Sequence, residues 1–362
     1  MKNEKDSYEI LTDFDNLYRA HLSCRKGKRW KVSAATYDMR GLECTLALKD
    51  LLDKGKYRLS PYNCFTINER GKKRDIKSIK YHDRVVQKCL MDEILTPIVQ
   101  KKFIRENAAS QKGKGTDFCM QLLRKHMRQY VNKHGTDGYI LTCDMHHYFD
   151  SIPHKLINDQ FDRWFEDEKL LALIHHIHES IPGGVGVPLG NQLSQLDALI
   201  TLNELDHILK ERWHFKWYAR YNDDFYIIHK DIERLREARE FIRKYVSERG
   251  MELNQKKTRI VKLRQGINFL GFHFYVTDSG KVVQKLLKKS IDRVKKKMRK
   301  MQKKCAAGEI PLSECKQAYM GWRAHAARGD TYYLLRKMDG WFNELFRNEI
   351  QKEKEGSNGK ET

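Results

Sequence analysis

The chain has 362 residues, with 70 Lys and Arg against 48 Asp and Glu, a formal net charge of +22. That length allows two or three subdomains around a sizeable core, and that charge points to a polyanion, nucleic acid ahead of an acidic membrane surface. No apolar run reaches the ~20 residues of a membrane-crossing helix, the opening Met-Lys-Asn-Glu-Lys-Asp lacks a signal peptide's apolar centre, and eight scattered cysteines without a Cys-x-x-Cys pair read as reduced thiols of a cytoplasmic protein.

Residues 1–59 read as a basic helical region. Apolar residues recur at three and four spacing in Asp15-Asn-Leu-Tyr-Arg-Ala-His-Leu22 and Leu42-Glu-Cys-Thr-Leu-Ala-Leu-Lys-Asp-Leu-Leu52. Between them Arg25-Lys-Gly-Lys-Arg-Trp-Lys31 is either a solvated loop or a contact to a nucleic-acid backbone. Tyr62–Ile67 and Asp75–Ile79 read as two strands joined by a basic, Gly-containing turn. Arg70 and Arg74 on it suit a triphosphate, since guanidinium binds phosphate bidentately, although an exposed basic hairpin without a ligand has the same sequence. A helix from Asp83 follows, then the flexible Ala108-Ala-Ser-Gln-Lys-Gly-Lys-Gly-Thr-Asp117, whose spacing is not that of a P-loop.

Gly138-Tyr-Ile-Leu-Thr-Cys-Asp144 predicts an apolar strand ending on one acid. Tyr218-Ala-Arg-Tyr-Asn-Asp-Asp-Phe-Tyr-Ile-Ile-His229 predicts a hairpin with Asp223 and Asp224 at its tip, because Asn222 tolerates a left-handed turn. An Asp-Asp pair alone is more often a surface turn. Pairing of the two strands, however, brings Asp144 to Asp223 and makes a carboxylate site for hard divalent ions, two of which promote in-line nucleotidyl transfer. His146 and His147 are adjacent with no second ligand cluster, which disfavours a histidine metal site. Phe149 lies near Asp144 in sequence and is either core or a wall of that site.

Ile181-Pro-Gly-Gly-Val-Gly-Val-Pro-Leu-Gly190 is a loop feeding a helix over Asn191–Asp206. A helix ending at Gly250, strands over Leu253–Ile260 and Ile267–Tyr275, and a helix over Lys285–Lys304 follow. Leu287, Ile291, Val294, Met298 and Met301 form one apolar seam of that helix; its Lys and Arg face, with Lys288, Lys289, Lys295, Lys296 and Arg299, suits nucleic-acid backbone better than mere solvation.

These blocks, in this order, resemble the reverse transcriptases of bacteria and phages from Tyr62 to Met338. Tyr221-Asn-Asp-Asp224 is similar to the Tyr-x-Asp-Asp box, Leu141-Thr-Cys-Asp144 with Tyr148-Phe149 to the first palm motif, and Phe269-Leu-Gly-Phe272 to the primer grip. Lys256-Lys-Thr258 is similar to the lysine-bearing segment, and Arg74 with Asp83-Arg-Val-Val-Gln87 to the fingers blocks. Pro188-Leu-Gly-Asn-Gln-Leu-Ser-Gln195 has Leu189 for a common Gln and Gln195 for a common Pro, which resembles the reverse transcriptases of diversity-generating retroelements, as does Gln111-Lys-Gly-Lys-Gly-Thr116. Asn222 departs from the family at the variable position of its box.

The resemblance implies an α+β right-hand polymerase: fingers over 60–135, a palm with an antiparallel sheet over 136–280, a helical basic thumb over 281–350, and a disordered tail over 351–362. It implies two Mg2+ ions, replaceable by Mn2+, on Asp144, Asp223 and Asp224. It implies a nucleotide seat of Arg70, Arg74, Phe149, Leu189 and Gly190, with Phe149 excluding a ribose 2′-hydroxyl. Gln195, Lys256 and the thumb cations would meet nucleic acid, and the thumb seam would dock on the palm. Its implied partners are template RNA, an RNA/DNA hybrid, dNTPs and a small accessory protein oligomer, with no membrane. Two other readings stay open: a phage-defence reverse transcriptase, with or without a template, and a non-catalytic RNA-binding scaffold.

Overall fold

The computed structural model describes residues 6–69 and 71–358, which combine helices with small sheets in the α+β manner expected. Four helices open the chain: α1 (Ser7–Thr12), α2 (Phe14–Arg25), α3 (Val32–Met39) and α4 (Gly41–Asp53). Asp13 caps α2 by accepting the Asn16 N–H at 2.9 Å, and Leu17, Ala20 and Cys24 turn one stripe of the helix inward. Strands β1 (Asn63–Glu69) and β2 (Lys72–Ser78) form an antiparallel hairpin pairing Asn63 with Ser78. Helix α5 (Tyr81–Cys89) packs on α2, followed by a π-helical turn and by α6 (Thr96–Val99).

Next come α7 (Thr116–His134), β3 (Tyr139–Cys143), α8 (Tyr148–Ser151), α9 (His154–Trp164), α10 (Glu168–Glu179), α11 (Gln192–Thr201) and α12 (Asn203–His207). The single helix expected over 191–206 is therefore broken at Leu202, where ψ opens to 10°. β4 (Trp217–Tyr221), β5 (Asp224–His229), α13 (Ile232–Ser247) and β6 (Arg259–Lys262) complete a four-stranded sheet of order β4-β5-β3-β6. β4 and β5 are buried along almost their whole length rather than alternately, as strands covered on both faces are.

The strand expected over 253–260 is shorter than its apolar pattern suggested. Asn254 to Lys257 form a turn, the Asn254 N–H donating to the Asp144 carbonyl at 2.7 Å, and the strand starts at Arg259. The strand expected over 267–275 is a hairpin, β7 (Ile267–Phe269) and β8 (Phe272–Val276), turned at Leu270 and Gly271, both with positive φ. A third strand, β9 (Val282–Leu286), takes residues expected to begin the basic helix, which starts instead as α14 (Lys288–Ala306). Helices α15 (Leu312–Ala326), α16 (Tyr332–Leu345) and α17 (Arg347–Asn358) end the described chain, so the backbone is helical over part of the segment expected to be disordered.

Two compact units divide the chain. The first holds the described residues to Gly115 with Leu141–Ile227 and Glu233–Arg259; the second holds Thr116–Ile140, Ile228–Ile232 and the described residues from Ile260. Within the second, the α14 seam of Ile291, Val294, Met298 and Met301 meets Cys315, Tyr319, Met338, Phe342 and Phe346. The seam thus forms the core of a helical bundle with α15 and α16. All eight cysteines are free thiols. Among the described residues no helix is long and apolar enough to cross a membrane.

Candidate active site

β4 and β5 are joined by Asn222 and Asp223, and Asn222 adopts the left-handed conformation (φ 53°) that its type permits. That turn sets Asp223 and Asp224 at the strand ends, and β3, the neighbour of β5, delivers Asp144 beside them. The three carboxylates meet electrostatically. Burial first, then the charge of Asp223, then a hydrogen bond with Asp144 push the Asp224 carboxyl up to about 8. Asp223 is also raised, by burial and then by Asp144, despite a bond from its own backbone N–H. Both expected partners of Asp144 are brought to it, with the direct hydrogen bond falling to Asp224.

Lys257 completes the cluster. Its ammonium donates to Asp144 Oδ2 at 2.5 Å. Burial pulls the lysine down, but the bond and charge of Asp144 and the charges of Asp224 and Asp223 outweigh it, so its proton is held more tightly than usual. The Asn254–Lys257 turn is fixed by its bond to the Asp144 backbone, and the Lys257 carbonyl accepts Thr142 Oγ1–H at 3.1 Å. Lys256, the neighbour singled out from sequence, points to solvent.

Among the described residues no group of three or more His, Cys, Asp or Glu side chains is placed to hold a metal ion as it stands. The site nonetheless fits hard divalent cations. Its donors are all carboxylate oxygens, burial and then their mutual charge hold the Asp224 proton up to about 8, and the Lys257 ammonium stands at Asp144 where a cation would. His146 and His147 stack edge-on to each other, exposed to solvent.

The pH consequence follows from the sign of the shift. The folded state keeps the Asp224 proton up to about 8, whereas the unfolded carboxyl releases it near its usual 3.8. The folded state therefore binds more protons between these values, and stability falls as pH rises through that window. In chelator, the melting temperature is expected to decline from about pH 4 to about pH 8. Magnesium or Asp224→Asn should flatten the slope, and an equally steep slope in Asp224→Asn would reject the assignment.

The Phe149 carbonyl accepts the Val187 N–H at 2.8 Å, tying half-buried Phe149 to the 181–190 loop, and Gly186 N–H bonds the Ile152 carbonyl at 2.8 Å. At Gly190 φ is +123°, and a Cβ there would lie 3.5 Å from Ile76 and from the Lys77 carbonyl on β2. The loop that carries Leu189 and Gly190 is thus tied to Phe149 at Val187 and lies, at Gly190, against the strand that carries Arg74. Arg74 is exposed on that hairpin, and Arg70 lies outside the described residues. Gln195 Oε1 accepts Ser110 Oγ–H at 3.3 Å, linking α11 to the 108–117 loop, in which Lys114 turns inward onto the Asn107 carbonyl at 2.9 Å. Lys288, Lys289, Lys296 and Arg299 lie exposed on α14, and Lys295 stands over the Trp341 ring at 5.6 Å.

Sequence reasoning missed two supports. One is Lys257, masked by an adjacent lysine of equal promise. The other is Arg220, fully buried, which donates to Asp206 at 2.8 and 2.6 Å, to the Leu199 carbonyl at 2.9 Å and to the Asn222 carbonyl at 3.0 Å. An arginine inside an apolar strand, two residues before the turn, was the available signal.

Paired strands that bring three carboxylates to one place are an arrangement able to support metal-assisted nucleotidyl transfer. Residues 63–274 match the reverse transcriptase (RNA-dependent DNA polymerase) family, and the chain belongs to that family, with its right-hand polymerase fold. It is similar to Protein YkfC of Escherichia coli strain K12, 25% identical over 266 residues, covering 62% of this chain and 69% of YkfC. Among solved structures, telomerase from Candida albicans in complex with a TWJ fragment of telomeric RNA aligns at a TM-score of 0.49 and 14% identity, covering 82% of this chain and 55% of that one. Apo telomerase from Candida tropicalis, truncated from its C-terminal domain, aligns at 0.46 and 13%, covering 67% and 60%. The chain therefore spans little more than half the length of these telomerases.

Proposed function

We propose that this chain extends a DNA primer on an RNA template with deoxynucleotides, and that its copying is error-prone at template adenines, as in diversity-generating retroelements. The observation that carries the reading is the convergence of Asp144, Asp223 and Asp224 at the ends of neighbouring strands, where burial first and then their mutual charge raise the Asp224 carboxyl to about 8. Asp144 and Asp223 would hold two magnesium ions, with Asp224 in support. When bound, the ions supply Lewis acidity toward the primer 3′-hydroxyl and the triphosphate. Arg74, with Arg70, would steady the triphosphate, Phe149 would exclude a 2′-hydroxyl, and Lys257 would orient Asp144. Gln195 and Lys256 would meet the nucleic-acid strands, and the cationic face of α14 would follow the duplex, giving steep salt dependence.

The subgroup reading rests on the Pro188–Gln195 box. Leu189 offers no hydrogen bonds where a glutamine would, so mispaired geometry opposite a template base meets less resistance. A small accessory protein oligomer and a structured template RNA belong to this reading as partners. The test is deoxynucleotide incorporation on an adenine-containing RNA template with magnesium, followed by sequencing. Errors should concentrate at adenines, and Leu189→Gln should reduce them several-fold without abolishing synthesis. Uniformly accurate copying would remove the subgroup and keep the polymerase. Products unrelated to the template would favour the phage-defence reading, and no synthesis would leave an RNA-binding scaffold.

A further inference from the structure

The span 180–191 joins α10 to α11 and carries Leu189 and Gly190 of the proposed nucleotide seat. Its middle is pinned to the 149–154 segment. His154 N–H donates to the Gly184 carbonyl at 2.9 Å, Gly186 N–H donates to the Ile152 carbonyl at 2.8 Å, and Val185 bridges Pro153. Buried His154 adds a side-chain bond. Its Nε2 stands 2.7 Å from the Gly186 carbonyl, and because a carbonyl only accepts, that nitrogen carries a proton. Gly186 is at φ +91°, and a Cβ there would come within 3.2 Å of the Asp150 carbonyl, so the two stretches meet backbone to backbone.

A second device holds the ends of the span. His178, in the last turn of α10, and Asp197, on α11, are both buried, Asp197 being 1% exposed. His178 Nε2 lies 3.4 Å from Asp197 Oδ2, and its Nδ1 lies 2.6 Å from Asn158 Oδ1 on α9. Burial raises the Asp197 carboxyl, and the charge and bond of His178, then the charge of His154, pull it only part of the way back. A carboxylate this deep is costly without a cationic partner, so the pair ties α10 to α11 across the span. The rings of His154 and His178 are 6.1 Å apart, so the two devices adjoin. Tyr148 Oη–H, donating to the Ala198 carbonyl at 2.6 Å, fixes α11 to α8 beside them.

We propose that His154, His178 and Asp197 are positioning residues for nucleotide selection: His154 fixes the middle of the 180–191 span and the His178–Asp197 pair fixes its ends, so that Leu189 and Gly190 keep one placement in the seat. The inference rests on the proposed polymerase activity for what the seat holds. The span contains four glycines at positive φ, Gly183, Gly184, Gly186 and Gly190, and a chain so rich in glycine has little stiffness of its own. Side chains from outside the span must supply it. Apolar packing would hold α10 to α11 at less cost than a buried charge pair, but a charge pair also depends on distance and alignment, and so favours a single geometry.

The test is incorporation of one matched deoxynucleotide by the full chain on an RNA template with a DNA primer and magnesium, alongside amide hydrogen exchange over 181–190 and melting. His154→Leu should raise the nucleotide KM about fivefold, the usual worth of one hydrogen bond, and quicken exchange. Its kcat at saturating nucleotide should stay within about twofold, as expected when binding alone is lost. His154→Gln, whose amide nitrogen reaches the place of Nε2, should restore both KM and exchange. Asp197→Ala should raise KM likewise, with Asp197→Asn between it and the wild type. Combined with His154→Leu, it should raise KM by less than the product of the two single effects, because both act through one loop. A lower melting temperature with KM unchanged would make these groups supports of the fold alone and overturn the proposal, as would equal KM values in His154→Leu and His154→Gln. Should Asp197→Ala fail to fold, the two His154 variants decide by themselves. A wild type that incorporates nothing would instead overturn the polymerase reading, and this proposal with it.

Discussion

Asp223→Ala is expected to reduce deoxynucleotide incorporation by on the order of 1000-fold or more while the protein stays folded. Asp223 sits at the tip of the β4–β5 turn, half-buried against Asp144 and Asp224. A metal-held transition state draws several kcal/mol from such ligands, and each 1.36 kcal/mol is tenfold in rate. The same carboxylates repel one another in the metal-free protein, so removing one should leave the melting temperature in chelator unchanged or higher. This opposition of effects separates a functional acid from a structural one. Incorporation within tenfold of wild type, or a large loss of stability, would reject the role. Asp224→Asn should cost less activity than Asp223→Ala if Asp224 is the supporting member.

Arg220→Met is expected to be the most destabilising single change in the palm, by about 3–5 kcal/mol, because it strands the fully buried carboxylate of Asp206. Burial alone would favour the neutral guanidine, but Asp206 and then Tyr218 reverse this and hold the arginine charged. The Tyr218 hydroxyl, donating to Asp206 at 2.5 Å, remains the carboxylate's partner in the variant, too little to replace two guanidinium contacts. Urea unfolding reads the loss. The double variant Arg220→Met with Asp206→Leu should recover much of it, since a buried pair replaced by apolar groups is often neutral. Activity should stay low in the double variant, because the Asn222 carbonyl loses the donor that steadies the turn carrying Asp223. Full recovery of both stability and activity would show that Arg220 acts on the fold alone.

Much of the site was legible because its signals are local. Apolar strands that end on acids, an asparagine where the backbone must turn left-handed, and a Gly/Pro run before an amphipathic helix each follow from side-chain chemistry at neighbouring positions. The errors arose where local pattern admits two outcomes. Ile267–Tyr275 alternates like one strand, yet Leu270 and Gly271 both take positive φ and fold it into a hairpin. Leu253–Ile260 is apolar enough at its ends for a strand, yet its middle bonds to the Asp144 backbone and turns. The seam of α14 predicts a partner but not which one, and α15 and α16 supply it.

What the sequence determined by itself is therefore the inventory: a strongly basic α+β chain, three acids on two apolar strands, and the ordered blocks of a reverse transcriptase. What only the tertiary structure decided is which charged groups answer one another. Lys257 rather than Lys256 meets Asp144, Arg220 is locked to Asp206, and the buried Gln87 amide finds no partner among the described residues. Periodicity records whether a residue faces inward, because burial repeats with the helix or strand. The identity of a buried polar partner depends on contacts between residues 14 to 113 positions apart, and no local pattern carries that information.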